Sequence, residues 1–168
     1  FEPGSSYDYS NTNYLLIGNI LDQELGYHHQ QFIRERILEP LGLTQTYARF
    51  SDVDPDLVSS GYDVGWDEDF KARDHFVSGG AMVATAEDTG VFIRALNDGA
   101  LFSKEEQEVY SSVYEYGHTG LLAGYSSIAR YHPDIDAVVI QFVNTSGGNS
   151  WSITEVIYSR IVEILREG

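Results

Sequence analysis

The sequence predicts a mixed α/β fold of the α+β type, an antiparallel sheet covered by helices. Two observations carry this. Where the first 110 residues are periodic their apolar spacing is helical, and it turns extended from about Val113. The chain then finishes in a long amphipathic stretch able to lie across a sheet. At 168 residues there is enough chain for one sizeable core, so a single domain is expected. Residues 1–110 form its mainly helical and loop part, and 111–168 its strands and last helix.

Phe1 to Asn11 is rich in Pro, Gly, Ser and Asn and reads as a loop. A helix is predicted from Thr12 to Leu25, with Leu16, Ile17, Ile20, Leu21 and Leu25 on one apolar face and Gly26 as its stop. A second runs from His29 to Leu38, ended by Pro40 and the turn Leu41-Gly42-Leu43. Residues 44–75 lack periodicity and read as a long surface excursion with short strands at best. Thr85-Ala86-Glu87-Asp88 has the form of a capping box opening a third helix, with Phe92, Ile93 and Leu96 inward and Gly99 at the end. Ser103-Lys104-Glu105-Glu106 opens a short fourth in the same way. Val113 to Thr119, Tyr125 to Tyr131 and Ala137 to Asn144 read as three strands, the last two joined tightly at Pro133-Asp134 as an antiparallel meander. Ser152-Ile153-Thr154-Glu155 opens the final helix. Its stripe of Ile153, Val156, Ile157, Ile161, Ile164 and Leu165 is expected to pack on the sheet.

Composition excludes several functions. Ten Lys and Arg against 26 Asp and Glu give a formal net charge of -16, which repels phosphate backbones and anionic lipid. Neither nucleic acid nor a membrane surface is an expected partner, and no apolar run is long enough to span a bilayer. With no cysteine there is no disulfide, thiolate metal site or cysteine nucleophile. His28-His29 has no carboxylate or third histidine at ligand spacing and reads as a solvated helix start. The Asp52, Asp54, Asp56 alternation lacks the glycine and closing glutamate of a calcium loop. Tyr110, Tyr114 and Tyr116 read as strand packing. No metal or cofactor is expected.

Two short stretches place reactive side chains beside glycines or at element boundaries. In Tyr9-Ser10-Asn11 a phenol and a carboxamide two residues apart can face one cleft, or Asn11 can simply cap the helix that follows. His118-Thr119-Gly120 lies at the end of a predicted strand, where an imidazole and a hydroxyl can serve an anionic group and the Leu121 amide an oxyanion. Alternatively, His118 only closes the strand before a hairpin.

Taken in order, these residues resemble a known family. Phe1-x-Pro3-Gly4 leading to Tyr9-Ser10-Asn11-x-x-Tyr14-x-x-Ile17-Gly18 is similar to the serine β-lactamase and penicillin-binding-protein family, in its class C, D-alanyl-D-alanine carboxypeptidase and esterase branch. Pro40-Leu41-Gly42-Leu43, the run Ser78-Gly79-Gly80-Ala81 to Asp88, and His118-Thr119-Gly120 followed by Gly124-Tyr125-Ser126 extend the likeness in family order. The family's Ser-x-x-Lys is absent: Glu68 and Leu101 stand three residues before the only two lysines, Lys71 and Lys104. The stretch between Gly99 and His118 is also short for another strand. The expectation is a partial serine β-lactamase/transpeptidase-like fold, the C-terminal portion of a larger catalytic domain whose nucleophile lies upstream.

The resemblance implies acyl transfer through a serine acyl-enzyme on a small-molecule or peptide substrate, in a periplasmic or other extracytoplasmic setting. It implies that Tyr9 moves the proton, His118 tunes Tyr9, and Leu121 N–H forms half of an oxyanion hole. It further implies that Asn11 holds a substrate amide, Thr119 a carboxylate or ester oxygen, and that Gly120 leaves room for substrate. Ser10 is expected to buttress the loop. A non-catalytic module keeping the same cleft is the alternative.

Overall fold

The computed structural model describes residues 1–73, 79–80, 82–113 and 116–168. Helix α1 spans Asn11–Leu25 and is capped by Ser10, whose hydroxyl accepts the Thr12 N–H at 3.3 Å. The cap is therefore Ser10 and not Asn11, which occupies the first helical position. Gly26 stops the helix at φ 74°, a left-handed conformation that costs glycine nothing. Helix α2 (His29–Ile33) runs on through a π-helical turn at Arg34–Leu38 into α3 (Glu39–Leu41). The helix runs one residue past Pro40 and stops at the predicted turn Leu41-Gly42-Leu43, where Gly42 is left-handed at φ 69°. In the π turn the Glu39 N–H reaches back five residues to the Arg34 carbonyl, and this wider winding precedes the proline that cannot donate.

Among its described residues the excursion holds only short pieces. Strand β1 (Thr46–Tyr47), three 3₁₀ turns and strand β2 (Tyr62–Asp63) precede β3 (Val83–Ala84), which pairs antiparallel with β1. Helix α4 (Ala86–Asn97) has Thr85 as its cap, accepting the Asp88 N–H at 3.2 Å. The Asp88 carboxylate does not return the bond. It accepts instead from Gln45 N–H and the Thr46 hydroxyl, both at 2.8 Å, and so ties α4 to β1. Helix α5 (Lys104–Val113) has the full reciprocal box: Ser103 and Glu106 each accept the other's N–H.

Because α5 runs to Val113, the strand expected there starts later. The main sheet is β4 (Gly117–Leu122), β5 (Tyr125–His132) and β6 (Ala137–Val143), antiparallel in that order. His118-Thr119-Gly120 lies near the beginning of its strand rather than at the end. Tyr110 is helical and packs on Phe102, with ring centroids 5.2 Å apart, while Tyr116 faces Tyr131 across the sheet. Tyr114, Ser78 and Ala81 lie outside the described residues. Strand β7 (Thr145–Ser146) pairs parallel with β2, and α6 (Ser150–Glu167) closes the chain.

The core sits between sheet and α6, where Ile128, Val139, Tyr158 and Val162 are buried together beside Trp151. The stripe assigned to the sheet from sequence points the other way: Val156 is 69% exposed and Ile164 54%. The buried side is Thr154, Tyr158 and Val162, set one residue, or about 100° of rotation, from that stripe. Hydropathy undervalues this face because its polar atoms have partners. The Tyr158 hydroxyl lies 2.9 Å from His132 Nε2 and 3.3 Å from the Val139 carbonyl, and Thr154 donates to the Ser150 carbonyl. The apolar residues of α1 other than the half-buried Leu25 are likewise exposed, and only Gly18 of that helix is buried. On the far side of the sheet α4 packs over Ile140, and Arg94 of α4 pairs with Asp136 at 2.6 Å.

Candidate active site

The register of β4 decides what its residues can reach. Tyr131 N–H donates to the Tyr116 carbonyl, so this pair is hydrogen-bonded and alternate pairs beyond it follow. Gly117, Thr119 and Leu121 therefore turn their backbone groups away from β5, toward the open edge of the sheet. Side chains alternate as well. His118 and Gly120 share the face of Ala129 and Ile140, the α4 side, while Thr119 and Leu121 point to the α6 side. Leu121 is 64% exposed.

Tyr9 arrives on this edge from the loop before α1. Its ring centroid lies 6.2 Å from that of His118 and 5.8 Å from that of Tyr14, tilted by 48° and 49°. The two chemistry-bearing stretches, more than a hundred residues apart in sequence, thus meet through Tyr9 and His118. Asn11 is exposed at the first turn of α1. His118 Nδ1 is hydrogen-bonded to the Thr119 carbonyl; since a carbonyl only accepts, Nδ1 carries the proton, and Nε2 is the basic nitrogen of the neutral ring. Partial burial, then the neighbouring Tyr14 and Tyr7 hydroxyls, hold the Tyr9 phenol above its ordinary range. In this setting Tyr9 keeps its proton and is a donor.

Gly120 has a packing reason of its own. A Cβ there would stand 2.5 Å from Ser127 Oγ, so any side chain would displace β5 contacts whether or not substrate is bound. Residue-by-residue reading overlooked Tyr14, which sits in the quoted pattern without a role; its signal was aromatic spacing across a helix start. It also misread His28-His29. The turn at Gly26 and Tyr27 brings back Asp22, whose Oδ1 accepts from His29 N–H at 2.6 Å and meets His29 Nδ1 at 2.7 Å. His29 is buried, and the Asp22 carboxyl is held below its usual range chiefly by that backbone bond. Potential ligand atoms of Asp22, His28 and His29 fall within 4.8 Å of one another. The two imidazoles are stacked at 4.6 Å and 28°, however, so their in-plane lone pairs run side by side rather than converge. The cluster reads as a clamp between α1 and α2.

A family model described as Beta-lactamase matches residues 1–114. The chain belongs to the Beta-lactamase family. The D-amino acid amidase of Ochrobactrum anthropi SV3, solved with D-phenylalanine, superposes with a TM-score of 0.80 at 24% identity, over 98% of this chain and 63% of that one. The penicillin binding protein of Bacillus halodurans gives 0.77 at 18% identity, over 95% and 58%. A protein of Escherichia coli (strain K12), provisionally named a D-alanyl-D-alanine carboxypeptidase, is 39% identical over 46 residues, or 27% of this chain and 11% of that protein. This Beta-lactamase-family chain has the serine β-lactamase and penicillin-binding-protein fold, and spans less than two thirds of each of these relatives. Among the described residues no helix is long and apolar enough to cross a membrane.

Proposed function

We propose that this chain supplies the proton-transfer and oxyanion side of a serine acyl-transfer site acting on amides or esters, with the serine and lysine carried by protein chain outside these 168 residues. The observation that carries the reading is the meeting of Tyr9 and His118 at the open edge of β4, where the Leu121 N–H also points. Family membership, the absence of Ser-x-x-Lys here and the greater length of the relatives support it.

In the proposed reaction the serine Oγ attacks the substrate carbonyl carbon, and the negative charge gathers on an oxygen facing Leu121 N–H. Tyr9 gives its proton to the departing amine or alkoxide. Before that, Tyr9 must take the serine proton as its phenolate, and a phenol held above its ordinary range reaches that form only with a cation beside it. The lysine ammonium is that cation. His118 orients the Tyr9 ring, Asn11 accepts and donates to a substrate amide, and Thr119 binds a carboxylate or ester oxygen. Water then releases the acyl group by the reverse path.

His118 also points to substrate class. A lysine there would offer a permanent ammonium to the carboxylate of a β-lactam, whereas an imidazole does not, and the net charge of -16 further disfavours anions. D-amino-acid peptides, amides and esters are the favoured substrates, with β-lactams at most slow acylating agents.

The absence of Ser-x-x-Lys equally suits a non-catalytic module, and one experiment separates the two. The longer natural protein is treated with a fluorescent penicillin and a chromogenic ester, beside the 168-residue chain and Tyr9→Phe. Labelling and turnover are expected in the longer protein only, falling about 10²- to 10⁴-fold in Tyr9→Phe, the usual scale for a general acid–base group. A longer protein that neither labels nor turns over supports the binding module. Labelling of the 168-residue chain at any serine would falsify the external nucleophile.

A further inference from the structure

Tyr9 sits on a loop that does little to hold it. Phe1 is 79% exposed, Tyr7 87% and Tyr9 itself 48%, and the loop's local bonds are the Glu2–Ser5 turn and the Ser10 cap. Among its ring contacts, the one with Tyr14 is closer than the one with His118. Tyr14 in turn is seated by a missing side chain. A Cβ on Gly79 would come within 2.8 Å of Tyr14 Cβ and 3.0 Å of its Cγ. Space for Tyr14 is what the position requires.

We propose that Tyr14 is a positioning residue for Tyr9, its ring seated against Gly79 and holding the Tyr9 ring beside His118. This rests on the acyl-transfer reading above for its effect on catalysis, but not for the ring geometry itself. The line of contact runs from Gly79 through Tyr14 and Tyr9 to His118, whose own orientation is fixed on the Thr119 carbonyl. An aromatic pair of this kind shifts a local equilibrium by about 2- to 10-fold. A loop tyrosine released from it spends that much less time in place. Tyr14 is also one of the groups holding the Tyr9 proton on, so its removal has a signature apart from rate.

The test uses the longer natural protein with three variants. Tyr14→Leu removes the ring, Tyr14→Phe keeps it, and Gly79→Ala crowds it while leaving every hydroxyl in place. Expected are a fall in kcat of about 2- to 10-fold in Tyr14→Leu and Gly79→Ala with KM little changed, and rescue in Tyr14→Phe. In parallel, ¹³Cζ-tyrosine NMR follows the Tyr9 hydroxyl, assigned by its loss in Tyr9→Phe. In Tyr14→Leu its titration should move down toward the ordinary phenol range and its cross-peaks to His118 should weaken. Unchanged Tyr9 resonances and titration in Tyr14→Leu would overturn the proposal, as would equal losses in Tyr14→Leu and Tyr14→Phe. Full activity in Tyr9→Phe with the resonances shifting as expected would instead remove the acyl-transfer role of Tyr9 and leave the positioning intact.

Discussion

Helices α6 and α1 are similar in length, 18 and 15 residues, yet they meet the rest of the chain differently. The inner face of α6 is sealed onto the sheet: Tyr158 and Val162 are 7% and 4% exposed, beside Ile128 and Val139. Helix α1 carries seven apolar residues to the nine of α6 but buries Gly18 alone, and Leu16, Ile17 and Ile20 are all more than half exposed. The sheet side is thus a core that these residues close among themselves. The side bearing Tyr9 is held by local devices: a serine cap, an Asp–His clamp and stacked rings. The edge that carries Tyr9 thus leaves the apolar residues Leu16, Ile17 and Ile20 of α1 in solvent, whereas the sheet core is closed by its own residues.

The sharpest test of that contrast is a pair of truncations in the 168-residue chain. Ile128→Ala should cost about 2–5 kcal/mol, the range for deleting a fully buried isoleucine side chain. Ile20→Ala on α1 should stay within about 0.5 kcal/mol, as exposed substitutions do. Urea denaturation of both decides it: comparable losses would mean that α1 is buried after all. Repeating Ile20→Ala in the longer protein sharpens the comparison, because a cost there that is absent here locates the missing cover on α1.

Next in size is Asp88→Ala. Its carboxylate is buried and accepts two bonds that fasten β1 to the start of α4, so about 1.5–3 kcal/mol is expected, the scale of hydrogen bonds to a charged group. A thermal melt showing no shift would leave the β1–α4 junction to packing alone.

The smallest effect is a pH dependence on the sheet side. Burial, and after it the charge of Arg166, hold the His132 imidazole below its ordinary 6.5, with Asp134 opposing and Arg130 adding to the depression. The fold thus favours the neutral ring. As pH falls the unfolded chain takes up the proton first, so this contribution is complete above 6.5 and is lost as pH drops below it. The carboxyls of Asp22, Asp69, Asp134 and Asp136, all lowered from 3.8, lose theirs only in more acid solution. Between roughly pH 5 and pH 7 the stability of the wild type should therefore decline, and that of His132→Asn should decline less. Equal slopes would show that the His132–Tyr158 contact survives protonation.

Much of the architecture was legible in the sequence because its signals are local. Ser103 and Glu106 box a helix start, Gly26 and Gly99 follow helix ends, and alternation marks β5 and β6. What escaped reading depends on partners far along the chain. Nothing near Tyr158 announces that its hydroxyl meets His132 and Val139, so an all-aliphatic stripe looked like the better inner face. Asp22 is seven residues before His29, and only the intervening turn makes them neighbours. In the candidate site, the residues Tyr9 and His118 were picked by type and order, whereas their contact, and the separation of His118 from Thr119 onto opposite faces, needed the register of β4.

That register is fixed at the two-residue tip Ala123-Gly124, where Leu122 faces Tyr125 and Gly124 turns at φ 88°. Gly124 N–H is held by Ser146 Oγ at 2.7 Å, which donates to Asp63 at 2.8 Å, and no Cβ fits there against Phe70 and Gly61. One residue added or removed at this tip would slide β4 by a single step along β5. Every side chain of β4 would then change sides, presenting Thr119 to Tyr9 and turning His118 toward α6. The identity of the group beside the phenol is thus written less at position 118 than in a small polar knot at the other end of the strand.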